Sequence, residues 1–206
     1  RAVAAAVERF GRLDVVYANA GFGVAGRVER LELDDFRRQF ETNVFGVLRT
    51  FYATIAELKK TRGTFVLTGS VSAYVATPGT AAYSMSKFAV RALADALRGE
   101  VAPSGVAVVL INPGFVDSEI RKVDNRGRLH PDAKEPIPGW LRVPTDAAAR
   151  SIVAAIRRRK AERVVTGHGK LLVVAQRFFP GVLAWAVNRF AGGKRKEPGR
   201  TPRQKG

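Results

Sequence analysis

The chain has 206 residues, 46% hydrophobic and 26% charged, with a net charge of +17 and no cysteine. That length supports one good-sized core, and the composition excludes a disordered chain and a disulfide framework. The charge surplus invites nucleic acid or an anionic surface as a partner, but no RNA-module or zinc-finger pattern accompanies it, so no nucleic-acid binding is expected.

The opening residues are Ala-rich and helix-like until Gly11, a residue type that ends helices. Residues 13–18 (LDVVYA) read as a short buried strand, followed at once by the turn Asn19-Ala20-Gly21. Residues 33–60 predict a long helix, with Asp34 and Asp35 in its first turn and Phe36, Phe40, Val44, Val47, Phe51 and Ile55 at helical spacing. A second strand over 64–68 ends at Gly69-Ser70, and the loop through Pro78-Gly79 opens a helix that Pro103 stops.

The third strand, 106–111, ends in Asn112-Pro113-Gly114. A loop over 115–141 follows, Thr145-Asp146 are expected to cap a helix running to 160, and Val164-Val165 form a brief fourth strand. Residues 171–190 are apolar but carry Pro180-Gly181 and interior charge, too broken for a membrane span. Packing in the core or against a second copy is the preferred reading of that segment, and a peripheral membrane anchor is the other. The basic, Gly/Pro-rich tail, 191–206, is expected to be disordered, leaving one domain over 1–190. His130 and His168 sit in no metal-ligand spacing, so no metal is expected. The absence of cysteine fits a reducing compartment, and a cytoplasmic location is the expectation.

Apolar strands alternating with helices argue for an α/β fold, a parallel sheet with helices on both faces. In such sheets the functional loops lie at the carboxyl ends of the strands. That rule selects Asn19-Ala20-Gly21, Gly69-Ser70 and Asn112-Pro113-Gly114, and the helix after the second loop carries Tyr83 and Lys87. Positions four apart share a helix face, so phenol and ammonium point into one space. A tyrosine ionises near pH 10, and a neighbouring ammonium favours the phenolate, drawing that value down.

Taken in order, the motifs are NAG after a strand, Asn43 within TNVFG, Ser70 thirteen residues before Tyr83, YSMSK, and PG closing the next strand. On these the chain resembles the short-chain dehydrogenase/reductase family over roughly residues 2–159. The resemblance implies a partial Rossmann-like, doubly wound sheet whose first strands, with the Gly-rich turn that cradles a pyrophosphate, are absent from this sequence. GFGVAG at 21–26 fits the GxGxxG string but follows the NAG turn and precedes no nucleotide-unit helix, so it reads as a decoy.

The activity implied is hydride transfer between NAD or NADP and a small-molecule secondary alcohol, ketone or aldehyde, with the cofactor choice open; lipid-like substrates would suit the apolar end segment. Tyr83 is then the general acid/base, Lys87 its tuning residue and a ribose-hydroxyl donor, and Ser70 the holder of the substrate oxygen. Asn43, a poor helix-interior residue, is implied to bend its helix and anchor a water. Asn19, Ala20 and Gly21 are implied to form a backbone shelf beside the nicotinamide. Pro113, Gly114, Val116 and Ser118 are implied on its carboxamide side, Ser118 standing where the family has threonine. A homo-dimer or homo-tetramer is implied in the same way. The alternative is a catalytically silent protein of this fold that binds a partner or membrane.

Overall fold

The structure, a computed structural model, describes residues 1–191, so all but the first residue of the expected tail lies outside it. Helix α1 (Ala2–Phe10) leads to β1 (Val15–Ala18), then α2 (Leu33–Phe40), a π-turn (Glu41–Phe45) and α3 (Gly46–Thr61) lead to β2 (Thr64–Thr68). Helix α4 (Ala81–Val101) connects β2 to β3 (Ala107–Asn112), and α5 (Thr145–Arg157) connects β3 to β4 (Glu162–Val164). Two further helices, α6 (Gly167–Phe178) and α7 (Pro180–Ala186), close the described chain with a second π-turn, Val187–Ala191.

The four strands are parallel in the order β1-β2-β3-β4, with Val16 opposite Phe65 and Val66 opposite Val109. Period-two alternation splits β2 between two cores. Phe65 and Leu67 pack with Leu58, Val90, Leu97 and Leu110 beneath α3 and α4, whereas Val66 joins Val109, Ile111, Ala148 and Ala155 beneath α5. Burial on both faces explains why the interiors of β2 and β3 are apolar, each large side chain contributing about 1.5–3 kcal/mol. β1 lies at an edge of this sheet, and Val15 there remains 47% exposed.

The expected helix over 33–60 exists, but the π-turn at Glu41–Phe45 interrupts it, and its extra residue rotates the faces of α2 and α3 by about 100° relative to one another. Helix α2 begins one residue before Asp34, with a reciprocal capping box between Glu32 and Asp35. Thr145 does not cap α5. Pro144 occupies that position, and the Thr145 hydroxyl instead donates to the Asp117 carbonyl at 2.7 Å, fastening the preceding loop. The core-packing reading of 171–190 is also corrected, because none of these residues is buried; α6 and α7 pack chiefly on one another, on β4 and on residues 71–73.

Candidate active site

Parallel strands bring the three selected loops to one rim, at Ala18, Thr68 and Asn112. The first loop is clasped from below by α2 and the π-turn. Asn43 Nδ2 donates to the Phe22 carbonyl at 3.0 Å, and Asn43 Oδ1 accepts the Phe22 N–H at 3.2 Å. Gln39 repeats the device, donating to the Phe22 carbonyl at 2.8 Å and accepting the Val24 N–H at 2.6 Å. Both amides are buried, so each satisfies backbone groups that water does not reach. Asn43 Nδ2 also donates to Ser86 Oγ at 3.1 Å, and Ser86 donates to the Tyr83 carbonyl at 2.7 Å, which ties the first loop to α4. The helix is widened into a π-turn at Asn43, and the side chain holds protein backbone. The GFGVAG segment lies between β1 and α2 in irregular backbone, followed by a short 3-10 turn at Val28–Arg30.

Ser70, 6% exposed, is fixed by its neighbours. Its N–H donates to Asn112 Oδ1 at 3.0 Å, and its hydroxyl oxygen accepts the Ser72 N–H at 3.1 Å, leaving the hydroxyl proton to point elsewhere. Asn112 donates in turn to the Tyr74 hydroxyl and to Glu162, at 3.1 and 2.8 Å. Gly69 is required between them, since a Cβ there would fall 2.1 Å from Asn112 Oδ1.

Tyr83 rises from the first turn of α4 with its ring against Gly23 and its hydroxyl in the company of Ser70. Lys87, one turn on and 4% exposed, donates to the Thr68 carbonyl at 2.8 Å and lies over the Tyr83 ring, 5.7 Å from its centre. Burial takes the Lys87 ammonium down to about 8. The expected lowering of the phenol by Lys87 is reversed: burial pushes Tyr83 above the ordinary tyrosine value. The groups that pull it back are the Ser70 hydroxyl and the charge of Arg121, because the Lys87 ammonium is directed at a carbonyl and a ring face.

On the third loop, Pro113 accepts the Val71 N–H at 3.0 Å, and Val116 pairs with Val143 in an isolated bridge. Arg121 holds this loop inward: Nη2 donates to the Val116 carbonyl at 3.0 Å and Nε to Glu135 at 2.7 Å. A Cβ on Gly114 would meet Thr166 Oγ1 at 2.3 Å and His168 Nε2 at 2.6 Å, so backbone and imidazole touch directly. The structure thus gathers Gly21, Asn43, Ser70, Tyr83 and Lys87. Asn19 and Ala20 are exposed on the first loop, where Asn19 accepts from the Thr68 hydroxyl at 2.9 Å. Ser118 is exposed and makes no cap bond.

The sequence reading missed Gln39, Arg121 and His168. Gln39 was findable from its place four residues before Asn43, the same offset that joins Tyr83 and Lys87. Arg121 and His168 reach the rim across 5 and 53 residues, from a loop and from beyond the last strand, where no local period signals them. Three or more metal-ligating side chains in one group do not occur among the described residues.

The short chain dehydrogenase family model matches residues 1–128. An uncharacterized oxidoreductase, YbbO, of Escherichia coli (strain K12) is 37% identical over 125 residues, 60% of this chain and 46% of the relative. The chain spans about half the length of such curated relatives. A short chain dehydrogenase from Burkholderia cenocepacia, solved in complex with NADP, superposes with a TM-score of 0.75 at 24% identity, over 90% of this chain and 73% of that one, a likeness of fold. An alcohol dehydrogenase from Thermococcus sibiricus, complexed with 5-hydroxy-NADP, gives 0.65 at 28% identity over 78% and 66%. With strand-end loops, parallel sheet and family model in agreement over most of its length, the chain belongs to the short chain dehydrogenase family.

Proposed function

We propose that this chain carries the catalytic residues of an NAD(P)-dependent oxidoreductase that interconverts a secondary alcohol with a ketone or aldehyde. The observation that carries the reading is the Tyr83 phenol set against Gly23 beside the Ser70 hydroxyl, one helical turn from the buried Lys87 ammonium. The rim fits the nicotinamide-ribose end of such a cofactor. A Cβ on Gly21 would sit 3.1 Å from Asn43 Oδ1 and 3.8 Å from Lys87 Nζ, so only bare backbone leaves that cation approachable from the rim. The Thermococcus sibiricus enzyme and its 5-hydroxy-NADP support the same choice of cofactor.

When bound, the reduced nicotinamide supplies a hydride for the carbonyl carbon. Ser70 donates a hydrogen bond to the carbonyl oxygen and polarises it. Tyr83 gives its proton to that oxygen as the C–H bond forms, which yields the alcohol and leaves a phenolate. Arg121 stabilises this phenolate until it regains a proton from water. Asn43 and Gln39 hold the first loop still, and Arg121 holds the third. In the alcohol-oxidising direction the same phenolate takes the hydroxyl proton.

Loss of NAD(P)H absorbance against a panel of ketones and aldehydes, with the protein expressed from its own gene, tests this reading. Tight cofactor binding without turnover on any member of the panel would assign the chain to a silent member of the fold.

A further inference from the structure

Among residues 171–190 not one side chain is buried, although the segment is rich in large apolar groups. Leu171, Phe178, Phe179, Val182, Trp185 and Phe190 are 63% to 72% exposed. On α6, Leu171, Val174 and Phe178 recur at i, i+3 and i+7, and on α7 Val182 and Trp185 lie three apart, so each helix carries its apolar groups as a stripe. The two stripes meet at Phe179, and Trp185 closes on Phe190 edge to face at 6.1 Å. Scattered apolar side chains need no explanation, whereas a continuous bare stripe of this kind marks a docking surface.

Charge decides what docks there. From Arg163 through Lys196 the sequence contains no aspartate or glutamate. Lys170 and Arg177, seven apart and both exposed, flank the stripe and form no ion pair among the described residues, and Arg189 sits over the Phe190 ring. Beyond the described residues the sequence continues with Lys194, Arg195 and Lys196. A second copy of this chain is a poor occupant, because a two-fold contact would set this cationic segment against itself on chains of net charge +17. No helix among the described residues is long and apolar enough to cross a membrane. Aromatic and aliphatic groups on one face with lysine and arginine beside them are what a helix needs to lie in the surface of an anionic bilayer.

We propose that α6 and α7 dock flat on an anionic lipid surface, with Leu171, Phe178, Phe179 and Trp185 at the boundary of headgroups and acyl chains. Lys170, Arg177 and Arg189 sit at the level of the lipid phosphates. Helix α6 starts at the catalytic rim, where His168 accepts the Phe115 N–H, so the docked element and the third loop are one turn of helix apart.

Co-sedimentation of the full protein with phosphatidylcholine vesicles, with and without an equal part of phosphatidylglycerol, tests the proposal without recourse to catalysis, so it stands or falls apart from the oxidoreductase reading. Binding is expected to rise at least about tenfold with the anionic lipid and to fall with salt. Lys170→Glu with Arg177→Glu, and separately Phe178→Ser with Trp185→Ser, are expected to abolish the gain. These side chains are exposed, so unchanged thermal melts show that the variants still fold. In a Trp140→Phe background the remaining tryptophan, Trp185, is expected to be quenched by brominated phosphatidylglycerol. Equal binding to both vesicles, no binding to either, or full binding by the serine variant overturns the proposal. A dimer in solution that the serine variant dissociates, with no vesicle binding, assigns the stripe to a second copy instead.

Discussion

His168 Nε2 accepts the backbone N–H of Phe115 at 3.0 Å, while the two rings stack with centres 5.3 Å apart. An imidazolium has no lone pair to offer there, so the contact exists only with the neutral ring. Burial lowers the His168 pKa below its ordinary 6.5. A folded value below the unfolded one gives stability that is fully present above the unfolded pKa and drains away as pH falls through the folded one. Thermal melts from about pH 8 to about pH 5 are expected to fall more steeply for the natural protein than for His168→Gln, which accepts without titrating. Parallel curves would remove the role given to this histidine.

Lys87 presents the same sign of linkage at higher pH. Its ammonium falls from 10.5 to about 8 on folding, so the unfolded chain binds the extra proton between those values and stability rises across them. The gain is about 3 kcal/mol between neutral pH and about pH 10, at 1.36 kcal/mol per unit. Urea unfolding at both pH values should show Lys87→Met losing that rise while matching or exceeding the natural protein at neutral pH. A variant whose stability follows the natural curve would contradict the burial of this charge.

Tyr83→Phe keeps the ring against Gly23 and removes only the hydroxyl. Its melting temperature is expected to be unchanged, and its kcat to fall by about 10²–10⁴-fold. Full turnover in this variant would end the proton-transfer reading. Arg121→Gln is expected to raise the Tyr83 ionisation further, read as tyrosinate absorbance in an alkaline titration, because it deletes one of the two influences that lower it.

Gly69→Ala should cost about 1–3 kcal/mol in chemical denaturation, the range for overpacking a closed site. The added methyl meets Asn112 Oδ1, which also receives the Ser70 N–H, so the substitution is expected to loosen Ser70 and lower activity beyond the loss of stability. A neutral effect on both would mean that Asn112 has room to withdraw.

The middle of the sheet was legible because β2 and β3 are apolar on both faces, a pattern that needs no tertiary information: β2 over Thr64–Thr68 matches its expected bounds, β3 is displaced by one residue, and β4, expected at Val164-Val165, instead runs over Glu162–Val164 with two charged residues. Tyr83, Lys87 and Ser70 were legible through the strand-end rule and the helical offset. What a spacing does not encode is direction. The offset of four left open that Lys87 would reach the Thr68 carbonyl and that burial would dominate the phenol, since both depend on how tightly α4 lies against the end of β2. Thr145 was misread as a cap because its partner, Asp117, stands 28 residues earlier. The core half of the expectation for 171–190 failed because an apolar stripe looks the same whether or not the chain's own core covers it.

The widened turn at Glu41–Phe45 contains one residue more than an ordinary helix would use there. Deleting one codon within it would restore regular winding and leave Val47, Thr54 and Leu58 seated beneath the sheet, but α2 would swivel by about 100° relative to α3. The amides of Gln39 and Asn43 would then release Phe22 and Val24. The same change would withdraw Phe40 from the core, so one extra amino acid in this helix lets α2 serve the packing and the grip on the first loop together.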